Sequence, residues 1–392
     1  MSKGPRSNID QVFLSPASGL TNRISARIRL LEPPITRRIL RAVLLVLITW
    51  LPLIGLAAFS GHAIGTNVAV SLWRDPEVNC RFLLSLPLLE AAEVFAIYWL
   101  TSQIRQFLGT AIISPADRPQ FDAALDRVQR WQDASITEAL FFVVALAASM
   151  MSRLYFLYGS HSSWERLSNG MTPAGWWHML VSLPILYFFL LRACWIFVLW
   201  SWFLYRVSRI ELNLTPTHPD RVGGLGFVAY GLSSFVPMIL ALSLLVSAGC
   251  AYEIYHRGAS LYALKYHLIV YVILVVVVVH LPLLAFSSQL SRRRFEGLLR
   301  FGNLIWRHDS AFDEKWLRDD TKNREPLLGT TDIQSLAHIA TSYNHIQEMR
   351  IIPIDRFTVV VLLLSAAAPL VPLVGTEIPL SEIVAKLGEL LI

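Results

Sequence analysis

Residues 266–290 read YHLIVYVILVVVVVHLPLLAFSSQL, and no Asp, Glu, Lys or Arg interrupts the chain between Lys265 and Arg292. At about 1.5 Å of rise per helical residue such a stretch exceeds the roughly 30 Å of a bilayer's hydrocarbon core. Valines 275–279 favour a strand by propensity alone. In lipid, however, every backbone group must be bonded within its own segment, which an isolated strand cannot manage, so the stretch is read as a helix.

Similar runs occur on both sides of it. Seven spans are placed at 42–60, 82–104, 136–158, 176–205, 227–254, 266–290 and 357–375. The 392 residues are 54% hydrophobic and only 16% charged, against roughly 25% charged in a soluble domain. A soluble globular enzyme is excluded. The predicted fold is all-α, a polytopic transmembrane helix bundle with its N-terminus cytoplasmic.

Orientation follows from the basic residues, of which only five of 34 are lysines. With the N-terminus inside, cytoplasmic segments hold 26 Lys and Arg and the opposite side holds 6, with Arg153 and Arg192 inside spans. Residues 1–41 form a basic cytoplasmic segment, too long for a signal-peptide n-region, so the first span reads as an uncleaved anchor. Residues 42–290 form a six-span bundle with cytoplasmic loops 105–135 and 206–226. A cytoplasmic helical segment, 291–356, precedes the seventh span and an interfacial helix within 357–392. In 291–356 the stretch Asp309–Pro326 reads as a charged loop, and Thr331-Asp332-Ile333-Gln334 as a capping box opening a helix to about Met349. Phe121, Leu125, Val128 and Trp131 make an amphipathic face in the first cytoplasmic loop. No internal repeat is visible, which speaks against the inverted symmetry of many transporters.

Cys80, Cys194 and Cys250 are far apart, with no Cys/His cluster of ligand spacing, so neither a disulfide framework nor a metal site is expected. No cofactor motif and no catalytic constellation such as HExxH or GxSxG occurs. The basic residues border apolar spans, which points to membrane lipids, anionic ones among them, as partners rather than nucleic acid. Oligomerisation stays open.

Charges inside spans are costly and normally face partners. Glu90 and Glu93 lie three residues apart on one face of span two. Depth pairs Glu93 with Arg192 of span four and Glu90 with Arg153 of span three. Such a network serves either a polar, proton-linked pathway or a structural lock, while Glu138 is read as interfacial. In span six, His280 beside the helix-breaking Pro282 suggests a hinge or relay, or else a satisfied core histidine.

The loop between spans four and five reads Thr217-His218-Pro219-Asp220-Arg221-Val222-Gly223-Gly224-Leu225-Gly226-Phe227. Glycines at a helix start leave backbone N–H groups open to an anion, so Thr217, His218, Asp220, Arg221, Gly223, Gly224 and Gly226 form a candidate phosphate or headgroup site. The structural alternative is a tight turn capped by Asp220. A second stretch runs from Gly329-Thr330-Thr331-Asp332-Ile333-Gln334 through Ser342-Tyr343 to Met349-Arg350-Ile351-Ile352-Pro353. Together with the His-Pro-Asp-Arg-x-Gly-Gly-Leu-Gly-Phe loop it resembles a family of bacterial integral membrane proteins with no established activity. The resemblance covers spans four to seven and implies a multi-pass protein of the bacterial inner membrane.

Three functions remain in view. A transporter or channel-like protein would use the buried Glu/Arg set. A non-catalytic scaffold or lipid- or anion-responsive sensor would use the cytoplasmic segments. A membrane enzyme on lipid-linked phosphate, with His218, Asp220 and Arg221 at its site, has least support.

Overall fold

Among the described residues, seven helices long and apolar enough to cross a membrane run Ile39–Phe59, Pro76–Gly109, Ser135–Ser152, Pro173–Val207, Gly226–Arg257, Leu261–Leu317 and Arg356–Val374. They are spans one to seven. The computed structural model describes residues 34–64, 68, 70–156, 163–167, 170–317 and 331–376, the side chains of 34–38 and 153–156 excepted. The expected interfacial helix from Pro379 onward lies outside the described residues. Apart from a two-residue hairpin, Arg166–Leu167 with Gly170–Met171, the regular structure described is helical. The protein is therefore an all-α, multi-pass membrane protein. Its arginine-rich end is called the basic side below, and the opposite end the far side.

The valine run is helical, within Leu261–His280. Pro282 then does more than bend the helix: Leu281–Phe286 tightens to a 3-10 segment before the α-helix resumes at Ser287–Phe312. The helix continues through a π turn, Asp313–Leu317, where a charged loop was expected. The cause is tertiary, since Lys315 Nζ lies 2.7 Å from Asp332 Oδ2 and Trp316 Nε1 donates to the same oxygen at 3.2 Å. Thr331–Gln347 is the helix so engaged.

Spans two and four share a construction that the sequence reading did not see. Asp75 caps Pro76–Cys80, a π turn follows at Arg81–Ser85, and Leu86–Gly109 continues as an α-helix with Pro87 in its first turn. Thr172 caps Pro173–Trp177, a π turn follows at His178–Ser182, and Leu183–Val207 continues with Pro184 in its first turn. The shared pattern is a capping residue, Pro, eight residues, then Ser-Leu-Pro. Each second proline lacks the N–H that would bond the carbonyl four residues earlier and clashes with it, and a widened turn absorbs both effects. The segments preceding the two spans also meet, in a parallel bridge between Val70 and Ser163. Both spans run from far side to basic side, so this is a parallel repeat and not an inverted one.

The core lies where these two spans pack on span five and on the amphipathic helix Arg118–Gln132. Phe121, Leu125 and Val128 of that helix are buried, while Trp131 is partly exposed and meets Trp202 edge-on. Phe107, Phe121, Phe203 and Phe227 close the basic side as an aromatic cluster, with Phe107 and Phe227 centroids 4.7 Å apart. Each such ring removed from water is worth about 1.5–3 kcal/mol, which anchors the basic-side loops.

Candidate functional site

Glu90 and Glu93 project from the helical part of span two, Arg192 from the matching part of span four. Arg192 Nη2 donates to Glu93 Oε1 at 2.7 Å, and Nη1 donates to Glu138 Oε1 at 3.0 Å. One guanidinium thus bridges carboxylates of two other spans, a use of its planar fork that lysine could not copy. Beside it Arg41 Nε of span one lies 3.4 Å from Glu90 Oε1. Arg192 is 13% exposed, Glu93 14%, Glu138 10% and Glu90 6%. Five charges from four spans meet in one largely dry cluster.

Two expected placements change. Glu138 is a member of the cluster and not merely interfacial, and Arg41 takes the place at Glu90 that depth assigned to Arg153. The reason is register. Span two is longer at both ends than the 82–104 expected, so its carboxylates stay near mid-span, while span three starts at Ser135 and its first turn already brings Glu138 to Arg192. Arg153 is fifteen residues beyond Glu138 on the same helix, roughly 22 Å along its axis, too far for Glu90 to be its neighbour. Its side chain lies outside the described residues.

A groove of about 560 Å³ between spans one, three and four leads to this cluster. Its walls are apolar, with Leu44, Ile48, Phe142, Phe188 and Phe189, and Arg41 and Glu138 lie on it. His280 stands apart from the cluster. It is buried, its Nδ1 lies 2.7 Å from the Val276 carbonyl oxygen, and it ends the helix where the Pro282 segment begins.

On the basic side the glycine loop folds around Asp220. Oδ1 accepts from the backbone N–H of Val222 at 2.9 Å and of Gly224 at 3.1 Å, and Oδ2 from that of Gly226 at 2.9 Å. His218 Nδ1 lies 2.8 Å from Oδ1, and Thr217 is half-buried next to it in the turn. The amides that an external anion would need are occupied by the loop's own carboxylate. Arg221 is held at φ 59°, in the left-handed region, and its Nη2 pairs with Glu348 at 3.1 Å. Gly223 sits at φ 68°, where a side chain is strained, and is closely packed, since an added Cβ would lie 3.1 Å from Leu214 and 3.2 Å from Met349.

That contact joins the two sequence motifs. Arg350 donates its backbone N–H to the Arg221 carbonyl at 2.7 Å and its Nη2 to the Asp220 carbonyl at 3.3 Å. Gln289 Nε2 ties span six to the carbonyls of Ser208 and Ile210, at 2.6 and 2.7 Å. The loops after spans two, four and six therefore form one stitched surface, since Asn213 also donates to Ile112 at 2.8 Å.

Burial alone would raise the Asp220 carboxyl, but the Val222, Gly226 and Gly224 amides and His218 outweigh it and hold it below the ordinary carboxylate range. A depressed folded value contributes stability above the unfolded value of about 3.9, and that contribution is lost as pH falls through the folded value. Asp220→Asn should cost about 1.5–3 kcal/mol at neutral pH, the worth of hydrogen bonds to a charged group. Below pH ~4 wild type and variant should converge in denaturant titrations, and a gap that is independent of pH would refute the carboxylate's role.

Among the described residues no group of three or more His, Cys, Asp or Glu is placed to hold a metal ion. No family model, curated protein or solved structure matches the chain.

Proposed function

We propose that the protein is a transport protein of a bacterial inner membrane, in which the Arg192 cluster takes up and releases a proton as spans two and four move. The supporting observation is the sharing of one guanidinium by Glu93 and Glu138 at 2.7 and 3.0 Å. Protonating one acid of an isolated buried pair strands the cation, which costs several kcal/mol. Here either acid can be neutralised while Arg192 keeps the other. The cluster is thus built to change its protonation state without losing its fold, which a plain lock does not require.

Spans two and four, which carry Glu93 and Arg192, are also interrupted at corresponding places by a π turn and a proline. Interrupted helices at corresponding places of a repeat are the usual mark of a transporter's binding region. A basic side rich in arginine suits the inner leaflet and its anionic lipids.

Infrared difference spectra of the purified protein, taken over the whole pH range in which it stays folded, should show a buried carboxyl band. The band should vanish in Glu93→Gln or in Glu138→Gln while the protein stays folded. A cluster that remains ionised wherever the protein is folded would overturn the proposal. The stitched basic-side surface around Arg221 and Arg350 favours a second reading, a membrane scaffold that presents this face to a partner, and a proton-inert cluster would move the weight to it.

A further inference from the structure

At the basic-side end of span four, against the resumed helix of span six, lies a cavity of about 690 Å³ whose walls include Tyr205, Arg209, Leu284, Ser287, Ser288 and Arg292. Its depth in the bilayer follows from span six. Lys265 and Arg292 bracket a stretch without charge, and about twenty helical residues cross the hydrocarbon core, so Leu284 to Ser288 stand where hydrocarbon gives way to headgroups. Leu281 and Leu284 are exposed and continue the surface toward the bilayer centre as an apolar face. Tyr205, also exposed, has the amphipathic ring that suits such a boundary.

The charges around the cavity do not balance. Arg292 and Arg293 both approach Glu211 at 3.4 Å, and they reach Glu296 at 3.9 and 3.4 Å respectively. Two cations thus share two carboxylates. Arg209 is the third cation, and no carboxylate among the described residues pairs with it. Its guanidinium is nonetheless held in place: Nη2 donates to Tyr205 Oη at 3.0 Å, and Cζ lies 4.9 Å from the centroid of the same ring. The other N–H groups of the fork are left for an outside acceptor.

The neighbouring wall adds neutral donors. The hydroxyls of Ser287 and Ser288 bond to no described residue, whereas the Gln289 amide is committed to the Ser208 and Ile210 carbonyls and so fixes the two walls against each other.

We propose that this cavity binds an anionic phosphate group, with Arg209 as its charged donor and the Ser287 and Ser288 hydroxyls as its neutral ones. A planar guanidinium matches two phosphate oxygens, and one phosphate monoanion offsets the third cation. The position of the cavity favours the phosphate of an anionic phospholipid in the basic-side leaflet, whose chains would follow Leu281 and Leu284. The volume is in the range of small-ligand sites and accommodates such a headgroup. The proposal does not rest on proton uptake by the Arg192 cluster, because its test is equilibrium binding at a separate place.

Calorimetric titration of the full chain in a neutral detergent with dioctanoyl phosphatidylglycerol, at constant ionic strength, is expected to show saturable binding. Arg209→Gln should weaken it at least fivefold. Arg206→Gln removes the same charge three residues earlier, where the guanidinium lies over Trp202 at 5.8 Å, and should stay within twofold of wild type. Dioctanoyl phosphatidylcholine, which has the phosphate but no net charge, should bind at least fivefold more weakly than the glycerol lipid. Inorganic phosphate separates the two sources: weaker binding than the lipid assigns the site to a headgroup, equal or tighter binding to free phosphate. Absence of saturable binding by both probes would overturn the proposal, as would wild-type affinity in Arg209→Gln. Equal weakening by Arg206→Gln and Arg209→Gln would also overturn it, since only diffuse attraction to a basic surface would then remain.

Discussion

Arg192→Gln is expected to destabilise the bundle by about 3–5 kcal/mol, because it leaves Glu93 and Glu138 facing each other in a dry site without the cation that bridges them. Glu93→Gln or Glu138→Gln alone should cost much less, on the order of 1 kcal/mol, since the guanidinium retains one carboxylate and the amide can still accept a hydrogen bond. The double variant Glu93→Gln/Glu138→Gln should exceed the sum of the singles, because only then does Arg192 lose the charge of both carboxylates it bridges. Unfolding in detergent, followed by the size-exclusion elution of the folded species, ranks the four proteins. Equal losses for both single glutamate variants and for Arg192→Gln would mean that the sharing has no energetic content.

The second large effect concerns Gly175, in the first helical turns of span four. A Cβ at this position would lie 2.4 Å from the Glu165 carbonyl oxygen and 3.2 Å from its carbonyl carbon. Both are backbone atoms, so the clash cannot be relieved by a rotamer change. Gly175→Ala should therefore push the Trp164–Glu165 segment off span four, at about 3 kcal/mol, the upper end of overpacking costs. The Thr172 hydroxyl's bond to the Trp164 carbonyl, 2.7 Å long, should be lost with it. Gly249→Ala in span five is the control, as nothing lies within 4 Å of its added Cβ. That change should be neutral or slightly stabilising, in keeping with alanine's better helix propensity. A Gly175→Ala protein that melts with wild type would show that this contact does not constrain the packing of span four.

The two experiments probe one design from opposite ends. Each of spans two and four carries a polar group at its far-side π turn, Arg81 or His178, and charge deeper in, Glu90 and Glu93 or Arg192. Ser182 Oγ, between the levels, donates to the Thr49 carbonyl at 2.7 Å and ties span four to span one. Ser182 thereby links the π turn of span four to the span that carries Arg41.

What residues 266–290 established by themselves was the solvent. Hydrocarbon selects for unbroken apolar runs and for helix, and each residue meets that demand almost independently of distant ones. The number of spans, their approximate limits and the arginine bias between the two ends were for that reason legible along the chain. Glu93 and Arg192 were legible too, because a charge within an apolar run is conspicuous. Glu138 and Arg41 were not, since each stands near a span end where charge is ordinary, and only the register and rotation of neighbouring helices bring them to the cluster. The glycine loop shows the same division. Its glycines announced a tight backbone at a helix start, but whether those amides serve an outside anion or Asp220 depended on which way one carboxylate turned. The docking of Arg350 on Arg221, 129 residues away in the chain, likewise depended on how spans five to seven pack. A cavity on the far side lies furthest from sequence reading. Its residues, Asp75, Trp164, Glu165 and His178 among them, are scattered over four spans and two connecting segments, and they meet only because a repeated Pro and Ser-Leu-Pro pattern brings two interrupted helices side by side.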